Sequence, residues 1–218
     1  MLTVAEEMLL LVLYDKSGTF ITEPDININY ALAGAVLADL ALKGRIEADP
    51  DKLFVLDPKP TGDAVQDAVQ DAVLARIAEA DEVQDTAYWV AEIGQRGEEV
   101  REHLLSRLVE RGILKRVEEK VLWVFETRRY PTIDGREEHE VKKRIMDTLL
   151  SEGTPSHKDA VIVSLADACS LFRQMLADRE LENLRSRIES IADSETIGVA
   201  VGETILQVRA SVAPMIMM

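Results

Sequence analysis

The chain has 218 residues, 47% of them hydrophobic, with only 7 prolines and 11 glycines, so it can bury a substantial core and is not a low-complexity chain. Its formal net charge of −15 opposes general attraction to nucleic acid or anionic lipid over most of the surface, and no apolar run is long enough to span a bilayer. The single cysteine, Cys169, rules out an internal disulfide, and its apolar helical surroundings (Val161, Leu165, Leu171, Phe172) read as a buried, inert thiol.

Thr3 followed by Glu6 is a capping-box pattern that opens a helix running to Leu13, and Asp15 to Gly18 reads as the turn that follows. Glu6 and Glu7 precede the apolar stretch Met8 to Tyr14 and no basic segment does, so a secretory leader is not expected and the location reads as cytoplasmic. Ile26 to Lys43 is rich in Ala and Leu and nearly free of charge, which predicts a helix buried on most sides. Gly44 suits the left-handed position that closes it, with Lys43 at the negative end of its dipole, and Arg45 to Asp57 then alternates as a hairpin. Asp63 is placed to cap a helix through Ala80, in which Val65, Val69 and Val73 fall near one stripe. A helix from Thr86 to Ile93 carries Trp89 on its apolar side, and a further helix spans Glu98 to Arg111.

Gly112 closes that helix, and Ile113 to Phe125 reads as a second hairpin. The two helix-plus-hairpin units repeat without a gap at an offset of 68 positions, Leu37 to Leu56 matching Leu105 to Val124. Arg128 and Arg129 form a basic exit from the last strand ahead of Tyr130 and Pro131, and Asp134-Gly135 turns the chain into a charged helix from about Glu137 to Leu150. From Lys158 onward the spacing predicts three helices broken near Asp178 and Asp193, with Gly198 and Gly202 allowing close helix packing. The tail Ala213 to Met218 follows the last helix and is expected to pack on the body. The fold class is therefore mainly α: a single compact helical domain over residues 1–218 with two or more small β-hairpins following helices.

No catalytic constellation emerges. Pro60 to Asp63 lacks the Gly-Lys-Ser/Thr of a phosphate loop, and His157-Lys158-Asp159 are contiguous at a helix start, where Ser156 or Asp159 reads as a cap. Glu137 to Glu140 point in different directions around a helix, so they read as a solvated face and not a metal site. An enzyme, a cofactor and a metal are accordingly not expected. Charge is nonetheless uneven: Arg111 to Arg144 holds ten Lys/Arg against seven Asp/Glu, which marks this segment as the place where an anion would bind. A helix followed by a hairpin is also the content of a winged-helix DNA-binding domain. Neither repeat helix carries the basic face a recognition helix needs, so nucleic acid is not an expected partner.

In order and spacing the chain resembles the Golgi phosphoprotein 3 family. The residues that carry the resemblance are Leu9 to Leu11, Leu32 to Ile46, Pro60 to Asp63, the Trp89 helix, Leu108 to Leu114, and Tyr130-Pro131 before a basic helix. The resemblance implies a non-enzymatic peripheral membrane protein that binds phosphatidylinositol 4-phosphate and holds client proteins as an adaptor. It implies a headgroup pocket made by a tryptophan and an arginine near the Leu32 helix and by two basic residues one turn apart after the second hairpin. Here Pro24 stands at the tryptophan position, Ala33 at the arginine position and Glu140 at the first helical basic position, while Lys143 keeps its charge. Arg128, Arg129, Arg136, Lys142 and Arg144 lie close in sequence and complete the candidate lipid-binding set with Lys143. The implied partners are an anionic phospholipid headgroup, a protein client and a further copy of the chain, on the cytoplasmic face of a membrane. The short N-terminus and the short Ser151 to His157 segment suggest a minimal, bacterial-type relative. Two other readings stand beside this one, a cytosolic adaptor without lipid affinity and a winged-helix-like regulator.

Overall fold

The computed structural model describes residues 1–13, 17–20, 25–48, 52–61, 68–121 and 125–212. Among these lie ten helices and two two-stranded antiparallel sheets. The helices are α1 (Val4–Leu11), α2 (Asp25–Leu42), α3 (Ala68–Ala78), α4 (Thr86–Gly94), α5 (Gly97–Glu110), α6 (Arg136–Leu150), α7 (His157–Ala168), α8 (Phe172–Met175), α9 (Asp178–Ala192) and α10 (Thr196–Val212). The strands are β1 (Ile46–Ala48), β2 (Leu53–Val55), β3 (Val117–Val121) and β4 (Phe125–Arg129). This is the mainly helical architecture with hairpins that the sequence predicts.

α2 is the axis of the molecule: α1, α3, α4, α5, α7 and α10 all pack against it. From Tyr30 to Leu40 every one of its residues is buried, including Ala33 at 0% exposure. The first of the two helices that a winged-helix reading could send into a DNA groove is therefore interior from Tyr30 to Leu40. Close packing at the other end of the core depends on glycine. A Cβ on Gly198 of α10 would stand 1.8 Å from the Ser164 hydroxyl of α7, and one on Gly34 would stand 2.4 Å from Val201.

Both repeat helices end the same way. Gly44 and Gly112 adopt positive φ of 64° and 70°, Arg45 N–H donates to the Leu40 carbonyl, and Ile113 N–H donates to the Leu108 carbonyl. The hairpins then diverge. Leu114, the counterpart of Ile46, starts the second hairpin by bridging to Thr132, and Val117 pairs with Arg129 in the same register. The repeat alone would have put Trp123 opposite Leu114. The second hairpin is thus longer than Ile113 to Phe125, and Arg128 and Arg129 belong to its return strand.

Two further expectations are corrected. The last third holds four helices, because α8 is a single turn set off by Ser170, a non-glycine residue at φ 59°. The first helix ends at Leu11, with Leu13 already bridging to Phe20. Cys169 is buried, as expected. Asp63, Val65 and the tail Ala213 to Met218 lie outside the described residues. Among the described residues no helix is long and apolar enough to cross a membrane.

Candidate lipid-docking site

The six cations singled out from the sequence come from the second hairpin and α6, and the fold gives them different tasks. α6 starts after Gly135, whose φ of 68° turns the chain, and Asp134 just before it accepts hydrogen bonds from the Arg136 N–H (3.1 Å) and guanidinium (2.6 Å). Those bonds hold the exposed Asp134 carboxyl below its ordinary pKa. Glu138, Val141, Ile145 and Leu149 form the buried side of α6. Arg136, Glu140, Lys143 and Asp147 are exposed, and their helical spacing sets them on the opposite stripe. Cations and acids alternate along that stripe.

Lys143 has no hydrogen-bond or ion-pair partner among the described residues, with Glu140 and Asp147 three and four positions away on the same face. Lys142 instead pairs with Glu138, which is 1% exposed. Arg144 is half-buried where α6 meets α1 and α7. Its guanidinium binds Glu7 of α1 and, at 2.6 Å, Asp159 of α7. Burial works to lower the Arg144 pKa, but the hydrogen bonds from those two acids outweigh it and the group is raised. Arg129 closes β4 half-buried opposite Val117, and Arg128 stands opposite Glu118, its side chain lying outside the described ones. Pro24 also lies outside the described residues. The structure thus brings Arg136 and Lys143 to one exposed stripe and diverts Lys142 and Arg144 into ion pairs.

Arg144 belongs to a larger buried network that the sequence did not disclose. Glu7 also accepts from Lys158 at 2.7 Å, while Glu6, fully buried, receives Arg111 at 3.0 Å and Arg107 at 3.3 Å. Asp39 of α2 takes the Val4 and Ala5 N–H groups at 2.8 and 3.1 Å, closing the N-terminus of α1 from below. Burial raises the Asp39 pKa to about 6 against these two hydrogen bonds and the attraction of Lys158 and Lys43. The sequence signalled only the Thr3–Glu6 capping box, which is present.

The hairpin register adds cations that sequence reasoning passed over. Lys115 N–H donates to the Pro131 carbonyl at 2.9 Å and Ile133 N–H to the Ile113 carbonyl at 3.0 Å, so residues 113–117 run beside 129–133. Lys115 and Arg116, both exposed, are thereby drawn alongside the segment between Arg129 and Arg136. The signal was available in the charge count of Arg111 to Arg144, but only strand pairing turns it into proximity. The turn at residues 17–20 leans on the same place. Gly18 accepts from the Tyr130 N–H at 2.9 Å, and a Cβ at Gly18 would lie 2.1 Å from the Pro131 nitrogen, so only glycine permits this approach. Among the described residues no cluster of His, Cys, Asp or Glu could hold a metal ion.

Comparison with known proteins bears on this geometry. The family model described as Golgi phosphoprotein 3 (GPP34) matches residues 4–208. The chain is 29% identical over 208 residues to the Vacuolar protein sorting-associated protein 74 of Schizosaccharomyces pombe, covering 84% of this chain and 61% of that protein. To the protein of the same name from Eremothecium gossypii it is 32% identical over 167 residues, covering 68% of this chain and 49% of the relative. The chain therefore spans about half to three fifths of these curated relatives. Both relatives are fungal, and they lend no support to a bacterial-type origin.

Proposed function

Because the chain belongs to the Golgi phosphoprotein 3 family, we infer that it is a non-catalytic peripheral membrane adaptor that docks on anionic phosphoinositide headgroups, phosphatidylinositol 4-phosphate foremost. The observation that carries this reading is the exposed, unpartnered Lys143 on the helix that follows the second hairpin, at the position where the family resemblance calls for a basic residue. Arg136 on the same stripe and Arg129 at the end of β4 supply further positive charge, and a phosphomonoester needs several converging donors. Arg144 and Lys142 are assigned to the fold instead, since their acids, Glu7 and Glu138, are almost fully buried. A cytosolic adaptor without lipid affinity is the second reading, favoured by the Glu140 and Asp147 carboxylates that flank Lys143.

Flotation with phosphatidylcholine vesicles containing phosphatidylinositol 4-phosphate separates the two. The wild-type chain is expected to float and the double variant Lys143→Glu, Arg129→Glu to remain at the bottom with its melting temperature little changed. Undiminished flotation of the double variant refutes the site. A wild-type chain that never floats favours the second reading.

A further inference from the structure

We propose that the groove between the first hairpin and the α3–α4 connection binds a small primary ammonium ion that carries an aromatic or branched apolar body and an oxygen acceptor. The groove is built from elements other than the second hairpin and α6, so the proposal goes beyond the lipid-docking reading and does not depend on it.

A cavity of ≈ 260 Å³ opens there, with Leu53, Phe54, Ile77, Glu82, Val83 and Trp89 among its lining residues. Its walls are tied in place. Leu53 N–H donates to the Gln84 carbonyl at 2.9 Å, fastening β2 to the connection, and Asp85 accepts from the Tyr88 N–H at 2.7 Å, fixing the start of α4. Trp89 meets Tyr88 edge to face, with ring centroids 5.3 Å apart. On this frame Phe54 and Val83 remain 39% and 58% exposed, an apolar rim that a ligand body would cover.

Two observations select the ligand. Trp89 is 5% exposed, yet its indole Nε1–H is closed off from water and has no hydrogen-bond acceptor among the described residues. A buried donor left unpaired is costly, and an oxygen on a ligand in this cavity would remove that cost. The rim is also acidic. Glu82 lines the cavity, Glu79, Asp81 and Asp85 are exposed on the same connection, and Glu47 stands opposite Phe54 in the hairpin. None of these acids has an ion-pair partner among the described residues. Of the neighbouring cations, Arg76 is held by Glu92, and Lys52 has an interaction of its own. Such a rim repels phosphates and carboxylates and attracts an ammonium group, which the aromatic surface of Phe54 and Trp89 also favours. The volume falls just below the roughly 300–1,000 Å³ of sites for drug-sized molecules, so the body it holds is about the size of one aromatic side chain.

The test titrates the full ¹⁵N-labelled chain with L-phenylalaninamide, whose ammonium, ring and amide oxygen represent this chemistry. The chain has 2 tryptophans, and the variant Trp123→Phe identifies which indole N–H signal belongs to Trp89. That signal is expected to move saturably. Uncharged N-acetyl-phenylalaninamide is expected to bind about tenfold more weakly, and Glu82→Gln to weaken L-phenylalaninamide about fivefold with an unchanged melting temperature. A Trp89 signal that never moves overturns the proposal, as does equal binding of the charged and acetylated amides. Should Glu82→Gln melt early, the wild-type chain supplies the same check, because an affinity that does not fall from low to high salt overturns the role of the acidic rim. Vesicle flotation reads the cations of α6 and β4, so the failure of one reading is distinguishable from the failure of the other.

Discussion

Replacing Arg144 with methionine separates a structural cation from a docking one. Arg144 joins three helices by binding Glu7 on α1 and Asp159 on α7 from its place on α6. Breaking a buried ion pair costs about 3–5 kcal/mol, because the remaining charge stays buried and unpaired. Two features lower that figure here. The Arg144 side chain is 39% exposed, so water screens the pair, and Glu7 keeps Lys158 at 2.7 Å. A loss of about 2 kcal/mol follows, which for a chain of this size lowers the melting temperature by about 4–8 °C. Lys143→Met, one residue earlier and exposed, is expected to shift stability by less than about 0.5 kcal/mol. Circular-dichroism melting and vesicle flotation, run on both variants, give opposite patterns: Arg144→Met melts early and still floats, whereas Lys143→Met melts normally and floats less. An Arg144→Met protein that melts like wild type but no longer floats would show that Arg144 faces the lipid and that the network has been misread.

Other expectations follow from the same structure. Gly198→Ala drives a methyl group into Ser164 and is expected to cost about 1–3 kcal/mol, whereas Gly202→Ala, with its nearest neighbour at 3.9 Å, should gain up to about 1 kcal/mol from helix propensity; equal effects in urea titrations would contradict the packing of α10 on α7. Asp39, with its folded pKa raised to about 6 from 3.8, binds its proton more tightly folded than unfolded, so its contribution to stability is greatest below about pH 4 and falls as pH rises to about 6. The stability of Asp39→Asn relative to wild type should therefore improve by about 3 kcal/mol between those limits. Parallel pH profiles for the two proteins in denaturant unfolding would remove that assignment.

Much of this fold is legible in the chain because its signals are local. Gly44 and Gly112 announce their helix ends, Thr3 with Glu6 its helix start, and the charge-poor stretch from Ile26 to Lys43 the burial of Tyr30 to Leu40 within it. The return strand of the second hairpin is hidden because Glu118, Glu119, Lys120 and Glu126 obscure any apolar alternation, so its length follows from pairing and not from pattern. α8 is hidden because its preceding break falls on Ser170, which carries no glycine or proline mark. The site is less legible than the fold for a physical reason. Whether a cation is available depends on acids far away in sequence, and Glu7 lies in a segment that reads as an apolar helix, yet it claims both Arg144 and Lys158. Lys115 and Arg116 become relevant only when the hairpin places them beside residues 129–133.

The most direct test of the functional account is equilibrium binding of the wild-type chain to vesicles bearing phosphatidylinositol 4-phosphate and to matched vesicles bearing phosphatidylinositol, at low and at physiological salt. Binding that is tighter for the phosphorylated lipid, and weaker but still measurable at the higher salt, is the expected result, because exposed cations are screened while a docked headgroup keeps its hydrogen bonds. Equal binding to the two lipids, or none to either at low salt, would contradict the account.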